Sequence, residues 1–487
     1  MKRVLLSSFL VISAMLSETA FIEASDIPAG FQVFFNDASH SQSNSIDIEL
    51  IKLIDNADKS IAAAFYSIGR VAIADAFIRA ADRLGIDNVR IITDANNRNL
   101  SACKRLETAG LYVIDETCDG WSGDSLNSHN KFCVVDDEKV WTGSYNITDS
   151  GTIYNNNHAV AIDCPDLAQA FLTEFNEMWG AEAGPPGNCS FSTNKRTVID
   201  NLVTCNGVPI EVYFSPTISP SPNTAYDALM NNMDDTLESI HFCMYTFTQT
   251  NLAGKLIQIH ENGIHVQGVM DELQALAPYS VYKYLKNNHI DVIMSKQVEP
   301  HANLLHHKFA VFDVNLAAAR VATGSYNWTL AAQTINDENT LIIHNQAIAW
   351  EFYKEFHRNY YGFDPGEKDP VIKLSINETE FIPGSYFITN ASIVNPGHAS
   401  VSFYEYIILD IGAQYANEQF YFWPSWSRDI DSKYVVLGGN SSFNHSILQF
   451  LVPLDMPGFG PLRIWAGMLD SKGSLVGNID FVEFSFL

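Results

Sequence analysis

The chain has 487 residues, of which 47% are hydrophobic and 17% charged, and its formal net charge is −27. This length exceeds what one hydrophobic core usually organises, and the composition is that of a folded protein, which excludes disorder over the whole chain. Because nucleic-acid affinity depends largely on Lys and Arg that neutralise phosphates, so acidic a chain argues against a nonspecific polyanion-binding surface.

The first 24 residues have the pattern of a secretory signal peptide. Lys2 and Arg3 precede an apolar run at 4–16 that is too short to span a bilayer, and Ala20 and Ala24 are small-residue candidates for cleavage. The pattern predicts a secreted or periplasmic mature chain that begins near residue 25. An uncleaved anchor and a buried first helix are the alternatives.

Two consecutive stretches repeat one order of elements: an apolar run, a segment of helical spacing and a second apolar run. These elements lie at residues 60–66, 71–84 and 88–94, and again at 239–245, 252–259 and 265–271. Alternating strands and helices predict a layered α/β sheet in each stretch. Turn residues follow the closing helices at 165–179 and 346–361, so the predicted lobes are 25–184 and 185–364.

After Pro370 the helical period disappears, and short alternating runs separated by turn residues continue along the chain. This pattern predicts an all-β sandwich domain at 370–487. The aromatic stretch at 420–426 is interpreted as part of its core, with contact to lipid headgroups or sugars as the alternative.

Seven cysteines agree with an oxidising compartment, and their odd number leaves at least one unpaired. Two pairs bracket short segments and are the candidate disulfides: Cys103 with Cys118, and Cys189 with Cys205. Cys133 and Cys243 lie in apolar runs and are interpreted as core residues. Neither Cys-x2-Cys nor His-Glu-x-x-His occurs in the sequence, so no metal site is predicted.

One motif occurs twice, once in each predicted lobe. The first copy contains His129, Lys131, Asp136, Gly143, Ser144 and Asn146; the second contains His306, Lys308, Asp313, Gly324, Ser325 and Asn327. The two spacings agree, except for four extra residues before Gly324 in the second copy. Two His, two Lys and two Asn supply a nucleophile, an acid and donors for a phosphodiester without a metal. One active site between the lobes is therefore predicted.

Both copies resemble the signature of the phospholipase D superfamily, H-x-K-x4-D-x6-G-S-x-N. The resemblance implies an α/β fold with two α/β/α sandwich lobes related by a pseudo-twofold repeat. It also implies a covalent phosphohistidine and no cofactor, with one histidine as nucleophile and the other as acid and then base. We assign His129 and His306 to these roles, with His129 as the nucleophile.

The other motif residues are given binding or supporting roles. Those expected to bind phosphoryl oxygens are Lys131, Lys308, Asn146 and Asn327. Those predicted to be structural are Asp136, Asp313, Ser144 and Ser325. Glu338 resembles the family's supporting carboxylate and is expected to orient a catalytic histidine. Asn157 holds the equivalent place in the first lobe, so the two histidines are not equivalent.

Phospholipid is the first choice of substrate, which implies transient contact of a monomer with a membrane surface. A quaternary ammonium headgroup of the phosphatidylcholine type binds aromatic faces, and four aromatic residues lie near the motifs: Trp121, Tyr145, Tyr326 and Trp328. A packing role for these residues is the alternative. The lobes also resemble the small bacterial endonucleases of the superfamily, which makes a metal-independent endonuclease, with nucleic acid as substrate, the alternative. A catalytically silent surface-binding module is the third reading.

The source of the protein is predicted from two glycosylation sequons. Asn146 and Asn327 each begin an Asn-x-Thr sequence inside a motif copy. A glycan at either position would block the predicted site, so a bacterial source is favoured.

Overall fold

The structure, a computed structural model, describes residues 27–487 apart from 37–44, 121–127, 197, 218–222, 296–302, 315, 362–369, 396–400, 412–419, 427–430, 439–440, 470 and 472–474. The predicted signal peptide at 1–24 lies outside the described residues. The chain divides into two compact units, the first ending at Phe356 and the second beginning at His357. The predicted fold class, two α/β lobes and an all-β domain, is confirmed.

The first lobe is built around a mixed sheet. Its strands are β1 (Phe31–Asn36), β2 (Ile61–Phe65), β3 (Val89–Ile92), β4 (Val113–Ile114), β5 (Lys131–Val135), β6 (Lys139–Gly143) and β7 (Asn157–Asp163). Their order is β1-β7-β6-β5-β2-β3-β4, with β2, β3 and β4 parallel and the other neighbours antiparallel. The helices are α1 (Ile46–Asp55), α2 (Val71–Leu84), α3 (Ser101–Thr108), α4 (Asp149–Ile153) and α5 (Pro165–Trp179).

Helices cover both faces of this sheet because its central strands are apolar on both sides. Every residue of β2 and β5 is buried. On one face Ala63 belongs to the same core as Phe77 of α2. On the other face the ring of Phe132 lies 5.0 Å from that of Phe171 of α5. The lobe is therefore an α/β/α sandwich, as continuous apolar strands favour.

The second lobe repeats this arrangement. Its strands are β8 (Leu202–Cys205), β9 (Val208–Ser215), β10 (Ser239–Met244), β11 (His265–Met270), β12 (Asp291–Met294), β13 (Lys308–Phe312), β14 (Arg320–Gly324) and β15 (Glu338–Ile343), in the order β12-β11-β10-β13-β14-β15-β9-β8. The helices are α6 (Ala225–Asp234), α7 (Thr250–Glu261), α8 (Glu272–Ala275), α9 (Tyr282–Asn287), α10 (Leu330–Thr334) and α11 (Gln346–Tyr361). Within the described part of the chain, no helix is both long and apolar enough to cross a membrane.

The closing helices α5 and α11 contact the sheets of both lobes. Phe171 of α5 contacts Phe132 of β5 and Phe214 of β9, each with a centroid distance of 5.0 Å. Phe352 of α11 lies 5.1 Å from Phe309 of β13 and 5.3 Å from His158 of β7. The two lobes thus share a packed interface, which holds facing side chains in fixed positions.

The second compact unit, considered by itself, is mainly β-structure. Its strands are β16 (Val371–Ile376), β17 (Glu380–Phe381), β18 (Tyr386–Asn395), β19 (Val401–Asp410), β20 (Phe420–Phe422), β21 (Lys433–Leu437), β22 (Ser441–Leu451), β23 (Phe459–Leu469) and β24 (Leu475–Phe486). They form sheets in the orders β16-β18-β22 and β17-β24-β23-β19-β20, with β21 also paired to β19. Phe387 of β18 and Phe403 of β19 share one core, as in a β-sandwich.

The predicted disulfide pairs are wrong. The structure links Cys118 to Cys189 and Cys164 to Cys205, with Cα separations of 6.2 and 5.3 Å. Cys103 is instead a buried free thiol on α3, where its Sγ donates a hydrogen bond to the carbonyl of Ile68. Nearness along the sequence misled the prediction, because folding turns Cys103 into the core and brings Cys118 against the segment that follows α5. Cys133 and Cys243 are buried free thiols, as interpreted from the sequence.

This pairing predicts a specific pattern of disulfide-linked peptides. Mass spectrometry of peptides from the nonreduced protein should find Cys118 linked to Cys189 and Cys164 linked to Cys205. The free thiols at Cys103, Cys133 and Cys243 should react with an alkylating reagent only after denaturation, because they are buried. A peptide that joins Cys103 to Cys118 would contradict the structure.

Candidate active site

The histidines of the two motif copies lie at equivalent places in the two sheets. His129 and His306 each precede the first residue of a central strand, β5 or β13, by two positions, and both are buried. The backbone N–H of His306 donates to the carbonyl of Asn156, 2.9 Å away, and Asn156 forms a bridge with Leu305. The start of β13 is therefore held against the first lobe, and the two motifs meet between the lobes.

His129 takes its supporting partner from the second lobe. Its Nδ1 lies 2.8 Å from Oε2 of Glu338, the first residue of β15. Ser325 also donates its hydroxyl to this Oε2, at 2.6 Å. Glu338 is fully buried, and because a carboxylate only accepts, the proton of His129 resides on Nδ1. This leaves Nε2 of His129 with a free lone pair.

His306 takes its supporting partner from the first lobe. Its Nδ1 lies 2.9 Å from Oδ1 of Asn157 and 3.0 Å from the carbonyl oxygen of Ser144. The Ser144 hydroxyl donates to the same Oδ1, and Nδ2 of Asn157 donates to the carbonyl of Gly151, which fixes the amide orientation. Both partners of Nδ1 are acceptors, so His306 also carries its proton there. It faces a neutral amide where His129 faces a carboxylate.

The two motif lysines are buried beside the histidines. Lys131 Nζ donates to the carbonyl of His129 at 2.7 Å, and Lys308 Nζ donates to that of His306 at 2.9 Å. Each ammonium also lies near an aromatic ring, 5.2 Å from the Tyr66 centroid for Lys131 and 4.7 Å from the Tyr245 centroid for Lys308. The lysines therefore have fixed positions in a site from which water is largely excluded.

Burial lowers the pKa values of these four groups, and neighbouring positive charge adds to the effect on His129, His306 and Lys308. Burial lowers the pKa of His129 to about 4 against the opposing effect of Glu338, and that of Lys131 to about 7. Burial and the charge of Lys131 hold the pKa of Lys308 well below its usual range, and burial with both lysines does the same for His306. A phosphate anion bound beside these groups would raise all four pKa values.

The Gly-Ser-x-Asn segments pack tightly against the neighbouring strands beside the site. Gly143 and Gly324 have φ of 153° and 141°, and a Cβ on either would lie 2.3 Å from a carbonyl oxygen of the neighbouring strand. This close approach lets the Ser144 hydroxyl donate to Asn157 and the Ser325 hydroxyl donate to Glu338. Asn327 Oδ1 accepts from the N–H of Thr246, at 3.3 Å.

Asn146 completes this segment in the first lobe. Among the described residues, its buried Oδ1 has no hydrogen-bond partner.

The motif aspartates lie away from the histidines. Asp136 accepts the backbone N–H groups of residues 58–60, just before β2. Asp313 accepts those of residues 237–239, just before and at the start of β10, and pairs with Arg320 at 3.1 Å. Both carboxylates fix strand starts, so neither contacts the site.

The aromatic residues proposed to flank the site are core residues. Tyr145, Tyr326 and Trp328 are nearly fully buried in the cores of their lobes, and Trp121 lies outside the described residues. Within the described ranges, no cluster of three or more His, Cys, Asp or Glu side chains could hold a metal ion.

A family model described as "Cardiolipin synthase, PLD-like domain" matches residues 50–179 and 229–360, together more than half of the chain. The chain belongs to the phospholipase D-like family. Each matched stretch contains one complete motif copy, so the family match and the paired site coincide.

Two curated relatives each match between a quarter and a third of this phospholipase D-like chain. It is 32% identical over 146 residues to a mitochondrial cardiolipin hydrolase of Xenopus laevis, covering 30% of this chain and 66% of that protein. It is 27% identical over 128 residues to a phospholipase D of Rickettsia conorii, covering 26% and 60%. A phosphatidylserine synthase structure from Haemophilus influenzae matches 68% of this chain and 86% of that chain, with a TM-score of 0.51 and 13% identity, which is a likeness of fold alone.

Sequence reasoning missed two pairs of residues in this phospholipase D-like site. Asp94 and Asp271 accept the N–H groups of Ser128 and Leu305, each one residue before a motif histidine. The rings of Tyr66 and Tyr245 lie 4.9 and 4.7 Å from the histidine rings. All four residues stand at matching places at the ends of the repeated strands, and this internal symmetry was the signal that could have found them.

A buried charge cluster lies beside Glu338, and its lysine belongs to the linker, the segment between α5 and β8. Lys195 Nζ contacts a carboxylate oxygen of Glu174 and lies 2.8 Å from Oδ1 of Asp337, and all three side chains are buried. Asp337 also accepts the N–H of Ser192. The linker between the lobes therefore holds the residue that immediately precedes Glu338.

The two aspartates provide a matched pair for a stability test. Asp313→Ala leaves Arg320 buried without its carboxylate and should reduce the free energy of unfolding by about 3–5 kcal/mol. Asp136→Ala removes backbone hydrogen bonds at a half-exposed position with no buried arginine and should cost about 1–3 kcal/mol. Urea denaturation followed by fluorescence measures both, and an equal or larger loss for Asp136→Ala would contradict this assignment.

Proposed function

We propose that this chain is a phosphodiesterase that hydrolyses the headgroup phosphodiester bond of phospholipids through a covalent phosphohistidine on His129. The observation that carries the proposal is the exchange of partners between the lobes. It places a carboxylate behind His129, an amide behind His306, and two lysines beside them. This set can attack, protonate and neutralise a phosphodiester with side chains alone.

In the first step His129 Nε2 attacks phosphorus. The P–N bond forms as the bond from phosphorus to the leaving alkoxide oxygen breaks, and the imidazole becomes cationic. The Nδ1 proton stays in the hydrogen bond to Glu338, whose negative charge stabilises this cation. The carboxylate therefore favours His129 over His306 as the nucleophile.

His306 supplies the proton for the leaving alcohol. Beside a neutral Asn157 and two lysines it loses a proton readily once the phosphate has brought it into the cationic form. In the second step the neutral His306 takes a proton from water, whose oxygen attacks phosphorus and breaks the P–N bond. The products are the free headgroup alcohol and a phosphate monoester.

Lys131 and Lys308 neutralise the phosphoryl oxygens during both steps. Burial lowers the pKa values of both lysines, and repulsion from the charge of Lys131 lowers that of Lys308 further. An anionic phosphate relieves this repulsion, and the relief increases as negative charge grows on the oxygens in the transition state. Asn146 and Asn327 add amide donors.

Phospholipid is favoured as the substrate by two observations. Relatives of this chain carry the names cardiolipin hydrolase and phospholipase D. The formal net charge of −27 disfavours approach to nucleic acid. We extend the proposal to a zwitterionic phosphatidylcholine-type headgroup and to a secreted or periplasmic protein, which the signal-peptide pattern favours.

The proposal predicts metal-independent choline release that depends on both histidines. Purified protein in EDTA should hydrolyse short-chain phosphatidylcholine, and His129→Ala and His306→Ala should each reduce kcat by about 10³-fold or more. His289→Asn, a change at an exposed histidine outside the site, is the control and should retain activity. Cleavage of single-stranded or duplex DNA without choline release would replace the phospholipase proposal with the endonuclease.

The nucleophile can be identified directly. Rapid mixing with substrate, alkaline denaturation and peptide mass spectrometry should find the phosphatidyl group on the peptide that contains His129. The adduct on the peptide that contains His306 would reverse the two roles.

The two supporting residues should shift opposite limbs of the pH profile. Glu338→Gln removes the group that raises the pKa of His129, so the acid limb of kcat/KM should move to lower pH while kcat falls about 10–100-fold. Asn157→Asp places a carboxylate beside His306 and raises its pKa, so the alkaline limb should move to higher pH. Steady-state kinetics across pH measures both shifts, and a shift of the same limb in both variants would contradict the assignment.

A further inference from the structure

A loop in the second lobe exposes an unusual set of apolar side chains. This apolar loop, residues 272–280, consists of the short helix α8 and the turn that follows it, and it ends before α9. Leu273, Leu276 and Tyr279 are 54%, 60% and 66% exposed. Single exposed apolar residues are common, but a cluster of three within seven positions is typical of an interaction surface.

The apolar loop lies at the rim of the active site. Gln274, within the loop, donates from Nε2 to the hydroxyl of Tyr245 at 3.4 Å and accepts from Thr246 Oγ1 at 3.2 Å. The Tyr245 ring is 4.7 Å from the ring of His306. The apolar loop therefore contacts a tyrosine that packs against a catalytic histidine.

The equivalent loop of the first lobe is polar. Asp94 corresponds to Asp271, and it is followed by a 3₁₀ turn at Ala95–Asn97. Asn96 and Asn99 are the exposed residues there, and Arg98 is paired with Glu107 and Asp115. The fold therefore does not require apolar residues at this position.

The charge around the apolar loop differs from that of the chain as a whole. Residues 272–290 contain one acidic residue, Glu272, and two exposed lysines, Lys283 and Lys286, in a chain whose net charge is −27. Tyr284, 46% exposed, lies between these lysines. Apolar side chains next to Lys and Tyr form the combination that suits the boundary between acyl chains and headgroups.

We propose that the apolar loop is a membrane-docking surface that inserts Leu273, Leu276 and Tyr279 into the outer leaflet of a phospholipid bilayer. Lys283 and Lys286 then lie at the level of the lipid phosphates. Docking brings the headgroup layer towards Tyr245, whose ring lies beside that of His306. This inference rests on the proposed function, because it gives the phospholipase a route to lipid that is packed in a bilayer.

The test separates docking from chemistry by using one lipid in two physical states. The variant is Leu273→Ser/Leu276→Ser/Tyr279→Ser, and the matched control is Leu202→Ser/Leu237→Ser, whose leucines are 58% and 71% exposed away from the site. Phosphatidylcholine vesicles measure binding by cosedimentation and hydrolysis at a surface. A short-chain phosphatidylcholine below its critical micelle concentration measures hydrolysis of a monomeric substrate. Circular dichroism checks that both variants are folded.

Docking predicts a loss of vesicle binding and vesicle hydrolysis on the order of tenfold or more in the triple variant. Hydrolysis of the monomeric lipid should stay within about twofold, because the chemical site is unchanged. The control should behave as the unsubstituted protein does.

Three results would overturn the docking surface: vesicle binding by the triple variant equal to that of the unsubstituted protein, equal loss of activity on both lipids in a folded variant, or a dimer that only the triple variant fails to form. A protein that binds vesicles through the apolar loop but hydrolyses neither lipid would keep the docking surface and reject the proposed function.

Discussion

The Nδ1 atom of each motif histidine is bonded to a side chain from the opposite lobe, and the rest of the site depends on this exchange. Glu338 reaches His129 from the second lobe, and Asn157 reaches His306 from the first. Neither lobe could orient its own histidine in this way. The packed interface formed by α5 and α11 is therefore a condition for catalysis, because a small rotation between the lobes would break both hydrogen bonds at once.

The exchange also makes two nearly identical motifs chemically different. A carboxylate stabilises a cationic imidazole, whereas an amide orients the ring without adding charge. Two histidines with the same neighbours would compete for one role. With Glu338 behind one and Asn157 behind the other, their proton affinities are separated, which is the usual condition for pairing a nucleophile with an acid.

The scaffold around the site relies on carboxylates that hold backbone N–H groups. Asp94 and Asp271 fix the residues just before the histidines, and Asp136 and Asp313 fix the starts of the strands beside them. Lys195, from the linker, holds Asp337 next to Glu338. These contacts position the reacting groups through residues that do not react themselves. The lysines and the Nε2 atoms are therefore available to the phosphate.

The sequence by itself determined the two α/β lobes, the β-domain and the residues of the paired motif, because strand period, helix period and motif spacing are local properties of the chain. It also identified Glu338 and Asn157 as the unequal pair. Only the tertiary structure decided which histidine each one hydrogen-bonds, because sequence spacing does not indicate which residues meet across a lobe interface. For the same reason it decided the disulfide pairing, turned Tyr326 and Trp328 into the core, and left the apolar loop exposed at the rim.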